Sequence, residues 1–205
     1  MLDVITDVNF IKGIGTTLSL TGLSVLFGAP WGVIMYMFSK KGFLVVRQLT
    51  KFVMWLIKGL PPIIIIMSLY YYYYRDLKMG GFVAALTGFI LVFGEEVCRN
   101  IAKRAGQIDE GKLEDGYRLL GISGREFFSQ LKKEKGRELV DDFRESVIGV
   151  VKMSSVVGYI AVYDLTKTFD TMRKDRLETY MPLLATTIAY FIIIKLLEAL
   201  IRVRK

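Results

Sequence analysis

Residues 13–39 read GIGTTLSLTGLSVLFGAPWGVIMYMFS, and Tyr36 is the single ionisable side chain among them. About 20 helical residues cross a bilayer core of about 30 Å, so this stretch spans a membrane with a turn or more to spare. Three further blocks, 59–74, 79–94 and 179–194, carry no ionisable groups apart from tyrosines. A chain of 205 residues has too little interior to hide four such blocks from water. Mean hydropathy is +0.41 although 23% of residues are charged, because the charges collect between the apolar blocks. The fold class that follows is all-α: a polytopic membrane helical bundle of about five transmembrane helices, not a barrel.

The five segments are 13–39, 52–74, 79–98, 146–163 and 179–201. The second contains Lys58, Gly59 and Pro61-Pro62, and the prolines must break or kink it. The fourth contains Lys152, and the fifth contains Lys195 and Glu198, which are spaced to pair on one helical face. Orientation follows from the segments between spans. Stretch 40–51, loop 99–145 and the tail hold 18 Lys or Arg, against 7 on the other side. Basic segments stay in the cytoplasm, which places the N-terminus outside and the C-terminus inside. Asp3 and Asp7 precede the first span and no basic run does, so it reads as retained, not as a secretory signal.

Composition excludes several chemistries. The chain has no histidine and a single cysteine, Cys98. His-based acid–base catalysis, Ser-His-Asp triads, His or thiolate metal sites and intrachain disulfides are therefore out of reach. The net charge of +8 flanks apolar blocks or alternates with acids, a pattern of membrane orientation and not of nucleic-acid binding. No catalytic residue, metal site or cofactor is expected.

The first span repeats small residues at Gly13, Gly15, Gly22, Gly28 and Gly32, which let helix backbones approach closely in lipid. Packing within the chain and packing against a second copy or partner are both open. Tyr70 to Tyr74 reads as an interfacial aromatic belt. Loop 99–145 is too long for a simple connector. It holds eleven basic and ten acidic residues with Leu113, Leu119, Leu120, Phe127, Phe128 and Leu131 at helical intervals. Gly121-Ile122-Ser123-Gly124 is a turn, with Ser123 placed to cap the next helix. The spacing predicts a helical hairpin between the third and fourth spans, either a solvated loop or a dock for a soluble partner.

Several motifs resemble those of the membrane permease subunits of bacterial ABC importers, polar amino-acid uptake branch. Asp115-Gly116-Tyr117-Arg118-Leu119-Leu120-Gly121 has the spacing of that family's Glu-Ala-Ala-x-x-x-Gly, with Glu114 as the alternative acid. Ile108-Asp109-Glu110-Gly111 is similar to its Ile-Pro-Lys-Gly, and Glu96-Val97-Cys98-Arg99 to its Glu-x-x-Arg. Lys58-Gly59-Leu60-Pro61-Pro62 resembles Arg-Gly-Thr-Pro-Leu. Lys152-Met153-Ser154-Ser155-Val156 resembles Lys-x-Thr-Ser-Leu, and Val162-Tyr163-Asp164-Leu165 its Val-x-Asp-Leu. Phe10 to Leu20 is similar to its opening Gly-x-x-x-Thr-Leu.

The resemblance implies one permease domain over 1–205 in a bacterial inner membrane, forming a pathway for amino acids. Its implied partners are cytoplasmic ABC ATPase subunits, an extracytoplasmic substrate-binding protein, and a second identical or similar permease chain. It makes Glu114, Asp115, Gly116 and Gly121 the ATPase-coupling element. On residues alone Gly121 is equally an ordinary helix stop. Small side chains seat such a hairpin closely against a partner, so Tyr117 in place of an alanine stands to obstruct it. Lys58, Gly59, Pro61, Lys152, Ser154 and Ser155 are the pathway or gate candidates, and Lys58 is equally a gate hinge or a snorkelling anchor. Three readings of Lys152 stand: near the pathway close to Ser154 and Ser155, paired with Glu95 or Glu96, or snorkelling to the interface. A non-transporting scaffold bundle is the rival function.

Overall fold

The computed structural model describes residues 2–201 except Gly42, Met79, 109–111, Leu120 and Ala161, and the side chains of Leu2, Asp3, Lys112, Glu114 and Arg176 lie outside the described set. In chain order the α-helices are α1 (Leu2–Ile5), α2 (Val8–Lys41), α3 (Leu44–Gly59), α4 (Pro62–Leu69), α5 (Gly80–Gly106), α6 (Lys112–Leu119), α7 (Gly124–Ser154), α8 (Leu165–Arg176) and α9 (Tyr180–Leu200). Among the described residues there is no strand.

Helices α2, α5 and α9 are each long and apolar enough to cross a membrane. α3 and α4, with the π-helical turn Tyr70–Tyr74, form a fourth candidate bent by 108°. The bend sits where the proline pair was expected to break the helix. Pro61 and Pro62 lack the N–H groups that would carry the ladder through, and Pro61 restarts it by accepting from Ile64 N–H at 2.9 Å.

The expected span 146–163 is corrected. Its helix stops at Ser154, and the chain turns through a 3-10 segment, Val157–Ile160, into α8. The same helix begins far earlier, at Gly124, so it carries the charged second arm of the hairpin directly into the apolar segment. It breaks at Lys135 (φ −129°, ψ 18°), next to Gly136. Among the described residues, three single helices and one bent pair are long and apolar enough to cross a membrane, against the about five segments expected.

The bundle closes on a seam between α2 and α5. A Cβ on Gly28 would meet Phe93 at 2.9 Å, and one on Gly32 would run into the Gly94 carbonyl and Val97. Gly13 is pressed against α8 in the same way, whereas Gly15 and Gly22 face open space. The small-residue stripe thus serves packing within the chain at three of its five positions. The hydroxyls of α2 bond to their own helix: Thr21 donates to Thr17 O at 2.8 Å and Ser24 to Leu20 O at 2.6 Å. That satisfies polar groups where lipid offers no partner. Tyr36, Phe89, Phe93 and Phe127 are fully buried in the main core.

At the opposite end of α2, Asp164 caps α8, accepting from Thr166 N–H at 3.1 Å and Lys167 N–H at 2.8 Å. Thr17 Oγ1 accepts from Leu165 N–H at 3.3 Å, and the Tyr190 hydroxyl lies 2.8 Å from Thr166 Oγ1. These bonds fix α8 and α9 to α2. Lys195 and Glu198 pair at 2.7 Å, as their spacing predicts.

Candidate coupling hairpin and pathway residues

The hairpin is built by three local devices. Gly121 has φ +76°, a left-handed conformation that an L side chain enters at a cost of roughly 1–2 kcal/mol. The turn folds back so closely that a Cβ on Gly116 would meet Ile122 Cδ1 at 2.6 Å. Ser123 then starts α7 with a reciprocal cap: its Oγ accepts from Glu126 N–H at 3.2 Å while its own N–H donates to Glu126 Oε2 at 3.1 Å. These bonds to Ser123 hold the Glu126 carboxyl below its ordinary pKa. Nothing lies within 4 Å of a Cβ built on Gly121, so Gly121→Ala tests backbone conformation alone. The expected loss is about 1–2 kcal/mol, read from the midpoint of denaturant unfolding in micelles. An unchanged midpoint refutes the assignment.

Asp115 and Gly116 lie on α6 and Gly121 in the turn, so these coupling candidates come together; the side chain of Glu114, like Leu120 and the 109–111 lead-in, lies outside the described residues. Leu119 is 68% exposed, and Asp115 pairs with Arg118 at 3.5 Å on the outer side. Gly116 is buried under Ile122.

Tyr117 does not face a partner. Its side chain turns inward, 1% exposed, and its ring lies 4.7 Å from Phe127 and 6.5 Å from Tyr36. Burial pushes its phenol above the ordinary pKa. The expected obstruction is thereby removed, because the bulk fills the core beneath the hairpin. Sequence reading missed Tyr36 and Lys41 as its partners, since they lie some 80 residues away. A lone tyrosine in an otherwise non-ionisable span was the available signal.

The pathway candidates gather elsewhere. Lys58, Gly59 and Pro61 are exposed at the bend. Ile57, Ile65 and Val92 are buried together with Met153 packed on them, which sets the bend beside the end of α7. There Lys152 is exposed and, among the described residues, forms no ion pair. Glu95 instead takes Arg99 at 3.2 Å, and Asn100 donates to Ser146 at 3.3 Å on the face next to Glu96. Ser155 is half-buried and donates to Lys152 O at 2.8 Å. Ser154 turns the other way: it is fully buried and donates to Val151 O at 2.8 Å.

At the base of the bundle Arg104 of α5 grips Asp142 of α7 with two bonds of 2.6 Å. An apolar groove of about 680 Å³ lies beside the hairpin, lined by Met37, Phe38, Lys41, Phe43, Val46 and Tyr117.

The chain is a bent-span bundle in which α5 is followed by a capped helical hairpin, α6 and α7. The fold matches a chain in the crystal structure of an amino acid ABC transporter with histidines, with a TM-score of 0.79 at 19% identity, covering 94% of this chain and 91% of that one. In sequence the chain is similar to the L-cystine transport system permease protein TcyL of Bacillus subtilis (strain 168). The two are 26% identical over 199 residues, covering 91% of this chain and 82% of TcyL. No family model matches the chain. The two likenesses bear out the resemblance carried by the sequence motifs.

Proposed function

We propose that this chain is the permease subunit of an ATP-driven amino-acid importer in a bacterial inner membrane, a single permease domain over 1–205. The observation that carries this reading is the hairpin: a tight, capped helical turn with Leu119 and Asp115 on its outer side, on a bundle with the fold of an amino-acid ABC transporter. The hairpin faces the cytoplasm, in accord with the surplus of Lys and Arg on that side. Leu119 seats in a groove of a separate ATPase, and Asp115, with Glu114, meets its basic groups. An extracytoplasmic binding protein delivers the substrate, and a second identical or similar chain completes the pathway. The bend at Lys58, Gly59 and Pro61, with Lys152 and Ser155 beside it, forms the gate. Ser154 supports that gate from behind. L-cystine, named for TcyL, is the first substrate to assay.

The test is co-expression with candidate ABC ATPases and retention on an affinity resin. The wild-type chain should retain an ATPase. Leu119→Asp combined with Asp115→Lys should cut retention at least tenfold, about 1.4 kcal/mol, without altering the melting of the bundle. Equal retention by the variant refutes the coupling assignment. A wild-type chain that holds no ATPase favours a scaffold bundle instead.

A further inference from the structure

Tyr117 joins the hairpin to one particular span. Its ring packs against Tyr36 of α2 (interplanar angle 13°) and Phe127 of α7 (35°). Tyr36 in turn lies 5.5 Å from Phe127 at 24°. Three rings from three helices thus form one buried triangular cluster. Lys41, in the last turn of α2, closes it: its Nζ donates to the Ile122 carbonyl of the turn at 2.6 Å and stands 4.4 Å above the Tyr117 ring. Gly116 lets Ile122 settle against α6 and brings that carbonyl within reach. A close-packed ring cluster with a charge-assisted bond beside it resists sliding, since a displacement opens ring contacts and stretches the bond together.

We propose that this clamp makes the hairpin and the Lys41 end of α2 one rigid body, so that a push on the turn is delivered to the first span through Tyr117. The proposal rests on the permease reading for the source of the push, but the clamp itself can be tested without it.

The first measurement uses the full chain, with Cys98→Ala, in phosphatidylcholine–phosphatidylglycerol nanodiscs. Spin labels are placed at Leu18→Cys on α2 and Leu119→Cys on the hairpin, both exposed positions. The label-to-label distance distribution should be single and narrow in the parent and in Tyr117→Phe, which keeps the ring cluster. It should broaden at least twofold in Tyr117→Ala and in Tyr36→Ala. Lys41→Ala leaves the aromatic core intact and should broaden it less. The double variant Tyr36→Ala/Tyr117→Ala should be no broader than either single one, because both act on one contact. A distribution of parental width in Tyr117→Ala and Lys41→Ala overturns the clamp, whether or not an ATPase partner exists.

The second measurement restores Leu119, keeps the label at position 18 alone, adds the ATPase recovered with the chain and traps it with ATP and vanadate. In the parent and in Tyr117→Phe, the label at position 18 should shift against its counterpart in the second copy. In Tyr117→Ala that shift should vanish while ATPase stays bound. A full shift in Tyr117→Ala overturns transmission through α2. Failure of the parent chain to bind any ATPase would instead overturn the permease reading, and leave the first measurement decisive for the clamp.

Discussion

Gly32→Leu is expected to abolish the stable bundle. The α2–α5 seam is its largest interface, and at Gly32 the first side-chain atom already collides with main chain, the Gly94 carbonyl, and stands 2.7 Å from Val97 Cβ. A rigid backbone oxygen cannot rotate away as a side chain does, so the helices must part. Parting them uncovers Phe93 and Val97 and undoes contacts along the seam on both sides of position 32. Overpacking of this kind costs about 3 kcal/mol or more. The measurement is SDS-induced unfolding of the reconstituted chain, read by far-UV circular dichroism. Gly22→Leu, on the open side of the same helix, is the control and should unfold with the parent. If Gly32→Leu matches that control, the seam is not where the bundle draws its stability.

Asp142→Ala should be the next most damaging change. Arg104 and Asp142 are only 16% and 12% exposed, and their bonds are short, parallel and bidentate. Removing the acid leaves a guanidinium largely withdrawn from water, with a hydrogen bond to Gln107 at 3.3 Å and the charges of Glu138 and Glu145 nearby. The expected loss is about 2–3 kcal/mol, between that of a surface pair and a fully buried one. The pair also sets a pH dependence. Arg104 holds the Asp142 carboxyl below its ordinary pKa, so the folded form binds that proton less readily than the unfolded one. Its contribution is complete above the unfolded value, about 3.9, and declines as pH falls through the depressed folded value. Parent and Asp142→Ala stabilities should differ between pH 5 and 7 and converge at strongly acid pH. A difference that stays constant from pH 7 down to strongly acid pH contradicts the assignment.

Much of this architecture was written in local patterns. Uninterrupted apolar runs mark α2, α5 and α9 because lipid admits no charge, and a proline pair marks the bend because two successive N–H groups are missing. Gly121 and Ser123 mark the hairpin because a left-handed turn and a helix cap each favour few residue types. The end of α7 was not legible. Helix 124–154 is half charged and half apolar, and a period-based reading splits such a helix at the change of composition. The direction of Tyr117 was equally hidden. At a position where the resembled motif has alanine, a large ring looks like an obstacle until Tyr36 and Phe127, brought from other helices, provide its place. Among the described residues Lys152 forms no ion pair, and Glu95 is taken by Arg99, one turn along its own helix.

The break at Leu60-Pro61 carries one last implication. Leu60 N–H turns to the Ile57 carbonyl at 3.4 Å, and the nitrogen that would normally serve the Lys58 carbonyl belongs to Pro62 and has no hydrogen. Hydrocarbon leaves such an oxygen unsolvated at a cost of several kcal/mol. Residues 58–61 are all uncovered by the rest of the chain, so the group that satisfies this oxygen comes from outside it. If that group is water, the amide protons of Lys58, Gly59 and Leu60 exchange with heavy water sooner than those of the helices on either side.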